Sequence, residues 1–214
     1  DGPVETLCNM LDDWQIHQDR DLPTEVWDYI KKEKFFAMII PEEYGGEELG
    51  FMGSVVITEE IAKVSSSLRV QYNMLDLGTA FPIYRYATEE VKRKYVPKLC
   101  KGEYLGAFAI TEPNAGSDIM AIETEAEDKG DHWLLNGSKT WISNANQADV
   151  VVCYAYTDKS KGGKGLSAFV LELQNYEGIS TTDLGKMGSF SSPTGEVFLN
   201  NVKVPKEKIL GEPG

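Results

Sequence analysis

The sequence is poor in the residues that most metal and nucleophile chemistries need. Its 214 residues include three cysteines, Cys8, Cys100 and Cys153, and two histidines, His17 and His132. It has no Cys-x-x-Cys, no histidine pair at helical spacing and no Gly-x-Ser-x-Gly. Structural zinc, zincin and nucleophile-elbow readings therefore have nothing to rest on. The cysteines lie in or beside apolar stretches and read as buried thiols of a reducing compartment. Each histidine reads as a surface or turn residue. Phosphate loops of the Gly-x-x-x-x-Gly-Lys-Ser/Thr and Gly-x-Gly-x-x-Gly types are missing too. The longest apolar run, Val150 to Tyr156, has seven residues, far short of a membrane span. Cations are the minority charge, 21 Lys+Arg against 34 Asp+Glu for a net charge of −13, which argues against a nucleic-acid partner. An anionic ligand would have to be held by local cations or backbone N–H groups. The opening Asp1-Gly2-Pro3 has neither a signal-peptide pattern nor an Arg-rich transit segment. A bacterial cytoplasm is the expected location, with the mitochondrial matrix as the alternative if a leader has been removed.

What is present is the balance of a globular chain, 42% hydrophobic and 26% charged. The first hundred residues read as helices. Thr24 after Pro23 is a suitable N-cap with Glu25 in the first turn, and Val26, Trp27, Ile30 and Phe35 share a face. Phe51 to Val64 is a second helix, with Val55, Ile57, Ile61 and Val64 among its apolar positions. A third starts at the cap Thr88 and ends at Gly102. Near Leu105 the period changes. Leu105 to Ile110, Asp149 to Thr157 and Leu166 to Leu173 read as strands, the last two joined by the polar turn Asp158–Gly165. Asn136-Gly137 is a hairpin signal, and Gly195 to Val204 adds two short strands. The expected fold class is α+β, a helical domain over residues 1–104 followed by an antiparallel β-barrel or sandwich over 105–214.

The densest chemical signal is Gly106-Ala107-Phe108-Ala109-Ile110-Thr111-Glu112-Pro113-Asn114-Ala115-Gly116-Ser117-Asp118. A strand runs into a Pro-fixed turn, and small residues then let backbone approach a partner closely. On these residues alone, a polar-ligand site and an ordinary barrel corner are equally good readings. The segment resembles the flavin-contacting stretch of the acyl-CoA dehydrogenase family. Three further motifs in order match it: Ile40-Pro41-Glu42-Glu43-Tyr44-Gly45-Gly46, Leu135-Asn136-Gly137-Ser138-Lys139-Thr140-Trp141-Ile142-Ser143-Asn144, and Val202-Lys203-Val204-Pro205.

The resemblance implies FAD as cofactor. Phe108, Ile110 and Thr111 are expected along the isoalloxazine ring, with Thr111 offering donors to the pyrimidine edge. Trp141 and Ile142 are expected beside the ring, and the Ser143 hydroxyl near flavin N5. Ser117 is expected to reach the FAD pyrophosphate or the phosphopantetheine arm of an acyl-CoA. Glu112 and Asp118 read as turn-stabilising. Neutral donors at these places favour an electron-rich reduced flavin.

Glu60 through Gln71 is similar to the glutaryl-CoA dehydrogenase branch of that family. Read without the resemblance, Arg69 is a surface cation pairing with Glu59 or Glu60. With it, Arg69, beside Val70, binds the distal carboxylate of a dicarboxylic acyl-CoA, a task suited to a guanidinium fork. Decarboxylating relatives have an acidic residue seven positions earlier, where this chain has Ala62. The resemblance thus implies oxidation of glutaryl-CoA to glutaconyl-CoA without loss of CO₂. It also implies electron-transferring flavoprotein as acceptor, a homotetramer, and a catalytic glutamate in a C-terminal helical domain beyond Gly214. The alternatives are decarboxylating glutaryl-CoA, methylsuccinyl-CoA or benzylsuccinyl-CoA dehydrogenation, or a non-catalytic acyl-CoA-binding subunit.

Overall fold

The computed structural model describes residues 2–214. Helices occupy the front of the chain: α1 (Pro3–Met10), α2 (Asp13–Asp19), α3 (Thr24–Lys32), α4 (Gly50–Val64), α5 (Ser66–Leu75), α6 (Phe81–Tyr86) and α7 (Glu89–Cys100). Leu7, Ile16, Val26, Ile30, Ile61 and Leu68 close over one another as their core. Thr24 is the first helical residue of α3, not its cap; Pro23 precedes it, and its carbonyl accepts the N–H groups of Val26 and Trp27. Thr88 caps α7 as expected, its hydroxyl accepting Val91 N–H. In α4 only Ser54 and Ile61 are buried, and Val55 is exposed although its spacing places it on an apolar face. Between α5 and α6 the helix widens into a π-helical turn, Asp76–Ala80.

The strands are β1 (Gly106–Ala109), β2 (Glu125–Asp128), β3 (His132–Ser143), β4 (Val150–Tyr156), β5 (Leu166–Glu172), β6 (Ile179–Asp183), β7 (Thr194–Pro205) and β8 (Ile209–Leu210). They pair in the order β6-β7-β3-β2-β4-β5-β8, with β1 beside β4. The sheet is mixed, which corrects the antiparallel expectation: β1 runs parallel to β4, as β2 does through Glu125 and Tyr156. Alternation of side chains gives a strand's faces but not its direction.

Two further expectations change. Residues 194–205 form one strand where two short ones were expected. Asn136-Gly137 lies inside β3 and turns nothing. A Cβ on Gly137 would stand 2.4 Å from Thr124 Oγ1 at a φ of +152°, so the glycine answers a close approach. The β3–β7 ladder shifts register twice. Leu135 and Gly137 face Val202 and Leu199, so β7 has one extra residue around Asn200–Asn201. Lys139 and Ile142 face Val197 and Gly195, so β3 has one extra residue around Thr140–Trp141.

The helices and the sheet share a core. Ile40, Ile83, Tyr95 and Leu99 pack with Val150, Val152 and Val170. Each fully buried side chain of this size contributes about 1.5–3 kcal/mol. Cys100 and Cys153 are buried and Cys8 is half-buried; burial pushes the first two thiols up to about 12 and about 11. Among the described residues no helix is long and apolar enough to cross a membrane, and no cluster of His, Cys, Asp or Glu could hold a metal ion.

Candidate functional site

Strand β1 places Phe108 on the side turned to the helices, half-buried with its ring edge-on to Tyr154 at 5.2 Å. The neighbouring Ala107 and Ala109 point into the sheet core. Ile110 and Thr111 follow, both half-buried. Glu112 and Ala115 then close a tight loop through reciprocal backbone hydrogen bonds of 3.0 and 3.1 Å, which leaves Asn114, Gly116 and Ser117 exposed. Asp118 caps the following 3-10 turn, its carboxylate accepting Met120 N–H at 3.2 Å.

The second segment meets the first directly. Thr140 N–H donates to the Thr111 carbonyl at 2.9 Å. The extra residue in β3 then sets Trp141 at φ +60°, with 61% of its surface exposed. A bulky residue in left-handed conformation is strained, and such strain is often kept for function. Trp141 thus takes no part in the sheet core. The Ile142 side chain turns the other way into the sheet core, leaving only backbone for a ligand. Ser143 ends β3 opposite Thr194. Among the described residues nothing hydrogen-bonds to the hydroxyls of Thr111, Ser117 or Ser143.

Behind this surface lies a feature missed by the sequence reading. Lys139 is fully buried and donates to Glu112 Oε1 at 2.7 Å and to the Ile110 carbonyl at 3.3 Å. Glu112 also accepts the backbone N–H groups of Glu123 and Thr124, and the Thr124 hydroxyl. Burial on its own would raise the Glu112 carboxyl, but the Lys139 ammonium and these donors outweigh it and hold the group below the usual carboxylate range. A lysine in a strand pattern reads as solvated. The only hint in the sequence was its opposite charge to Glu112.

Arg69 stands apart, half-buried in the first turns of α5. Ser65 ends α4 and caps α5, its hydroxyl accepting Leu68 N–H at 3.4 Å, so Arg69 belongs to the opening turn of a separate helix. No carboxylate pairs with its guanidinium among the described residues. Glu59 and Glu60, the partners expected of a surface cation, pair with Lys63 at 3.8 and 2.6 Å. Val70 beside it is half-buried, and Ala62 is exposed on α4.

The two segments are thus tied together through Thr140 and Lys139, and they carry an everted indole, a half-buried phenyl ring and three hydroxyls without hydrogen-bond partners among the described residues.

Comparison with known proteins places the fold. Residues 5–103 match the acyl-CoA dehydrogenase N-terminal domain, and residues 107–202 match the middle domain. A glutaryl-CoA dehydrogenase of Desulfococcus multivorans is 64% identical over 182 residues, 84% of this chain and 47% of that protein. A structure of glutaryl-coenzyme A dehydrogenase with glutaryl-CoA superposes with a TM-score of 0.93 at 54% identity, over 99% of this chain and 56% of the other. PigA with FAD and proline superposes with a TM-score of 0.91 at 29% identity, over 99% and 56%. The chain thus spans about half the length of these relatives. With both domain types present in order along 214 residues, the chain belongs to the acyl-CoA dehydrogenase family.

Proposed function

We propose that this chain supplies the flavin- and substrate-binding surfaces of a dehydrogenase that oxidises a dicarboxylic acyl-CoA, with glutaryl-CoA as the substrate of choice. The observation that carries the substrate class is Arg69 on α5, a half-buried residue whose guanidinium has no carboxylate partner among the described residues. Such a guanidinium is open to a ligand, and a carboxylate at the far end of the acyl chain takes two parallel hydrogen bonds from it.

FAD is the family's cofactor, and when bound it accepts a hydride from the substrate β-carbon. The residues of this chain prepare that chemistry. Thr111 and Ser143 supply neutral hydroxyl donors for the polar edge of the ring, and Ser117 supplies one for a phosphate or the pantetheine arm. Phe108 and Trp141 cover the ring and keep water from it. The α-proton needs a carboxylate base. Glu112 is held ionised by Lys139, and Asp118 is occupied by Met120 N–H; the base in this reading comes from outside these 214 residues. Because the position seven residues before Arg69 is Ala62, the reaction stops at glutaconyl-CoA. Electrons pass on to electron-transferring flavoprotein.

The test is anaerobic mixing of the complete flavoprotein with glutaryl-CoA or butyryl-CoA. Glutaryl-CoA should bleach the flavin far faster, with glutaconyl-CoA as product. Faster bleaching by butyryl-CoA overturns the diacid reading. Crotonyl-CoA with released CO₂ overturns the non-decarboxylating one.

A further inference from the structure

Lys139 is the most deeply buried cation described, with 0% of its side chain exposed, and its partner Glu112 is at 6%. Desolvating two charges costs so much that a well-packed apolar pair of equal volume usually serves stability as well or better. Stability is therefore a weak reason for the pair, and its contacts indicate another. Lys139 holds the Ile110 carbonyl and the Glu112 carboxylate, the residues on either side of Thr111. The next residue, Thr140, holds the Thr111 carbonyl itself. Three consecutive residues of one segment are thus fixed by two consecutive residues of the other. Glu112 extends the tie to a third segment through Glu123 and Thr124. One residue past Thr140, the chain takes up the left-handed conformation of Trp141, which persists only where its surroundings over-determine it.

We propose that Lys139 is a positioning residue of the flavin site: through Ile110 and Glu112 it sets the spacing between Thr111 and Trp141, and with it the affinity for FAD and the spectrum of the bound flavin. The proposal rests on the flavin reading given above. No apolar substitute can hold a carbonyl and a carboxylate at once, so the pair is kept for geometry.

The experiment uses the complete protein, stripped of flavin and titrated with FAD. The double variant Lys139→Met with Glu112→Leu removes both charges together and leaves neither one buried alone. Its flavin-free form should still unfold cooperatively, at a lower temperature than the wild type because the N–H groups of Glu123 and Thr124 lose their acceptor. Its FAD dissociation constant should rise about tenfold to a hundredfold, the scale on which supporting-shell losses act, and the flavin absorption bands should move. A folded double variant with wild-type affinity and spectrum overturns the proposal. If the double variant does not fold, Glu112→Gln decides, since it keeps the shape and one of the two acceptor oxygens while removing the charge. A weakened affinity and altered spectrum are expected, and unchanged values overturn the proposal. Wild-type protein that takes up no FAD overturns the flavin reading itself; wild-type uptake with unaltered variants overturns only the role of Lys139.

Discussion

The hydroxyl of Tyr95 on α7 donates to the carboxylate of Glu172 at the end of β5, bridging the helices and the sheet. Lys94 joins the same carboxylate at 2.7 Å, and Lys208 lies 3.7 Å away with its ammonium donating to Tyr95. Burial opposes ionisation of Glu172, but Lys94, Tyr95 and Asn175 outweigh it and hold the carboxyl down at about 2. Burial likewise lowers the Lys208 ammonium. Glu172 therefore contributes stability that is complete above its ordinary value of 4.5 and is lost as pH falls from there through about 2. Glu172→Gln should cost about 2–3 kcal/mol near neutrality. Thermal unfolding should also lose less between pH 6 and pH 3 in the variant than in the wild type.

Asp76 should respond to pH in the opposite sense. It is 1% exposed in the π-helical turn, and neither carboxyl oxygen makes a well-formed hydrogen bond among the described residues. Burial raises it from 3.8 to about 7, against a smaller lowering by the backbone of Ile39 and Met38. Its stabilising contribution is complete below about 4 and is lost as pH rises through about 7. The displacement sets a ceiling of about 4 kcal/mol. Asp76→Asn should therefore stabilise the protein more at pH 8 than at pH 5 in chemical denaturation.

Arg69→Met keeps the length and apolar stem of the side chain but removes the fork. A charge-assisted hydrogen bond is worth about 1.5–3 kcal/mol, so the KM for glutaryl-CoA should rise about tenfold to a hundredfold. The KM for butyryl-CoA should hardly move. Equal effects on both thioesters would return Arg69 to a structural role.

Trp141→Gly separates folding from binding. Glycine tolerates the φ of +60° that tryptophan endures, a relief of about 1–2 kcal/mol, and the lost side chain is mostly exposed. The flavin-free variant should melt no lower than the wild type, yet bind FAD more weakly by fluorescence titration.

At Gly106 the expected effect combines a clash with the displacement of the Thr79 hydroxyl, which donates to the Ala107 carbonyl at 3.1 Å. A Cβ there would fall 2.5 Å from Thr79 Oγ1 and 2.7 Å from Thr79 Cβ, where β1 crosses the π-helical turn. Gly106→Ala should cost about 1–3 kcal/mol, read as a lowered melting temperature.

The sequence marks the candidate segments more clearly than the frame around them. Residues 106–118 and 135–144 announce themselves because small residues, a fixed turn and an aromatic sit at set distances along the chain. The stretch from α5 to α6 did not, because its buried face includes Gln71, Asp76 and Thr79, and buried polar residues erase the apolar period. Asn136-Gly137 misled because local preference favours a turn there, while pairing with β7 decides the outcome. The everted Trp141 was invisible for a related reason: a strand's alternation says nothing of where a residue is inserted. Lys139 and Glu112 lie 27 residues apart, and only the folded sheet makes them a pair.

The two extra residues of the β3–β7 ladder lie on opposite strands and cancel. His132 still faces Pro205 and Ser143 still faces Thr194 at the two ends. Side chains alternate along a strand, so deleting one inserted residue turns over every partner beyond it. Deleting one from each strand together leaves the outer pairings intact. The length of this ribbon can therefore change in register only in matched steps, and losing the extra residue of β3 beside Trp141 calls for a compensating loss on β7.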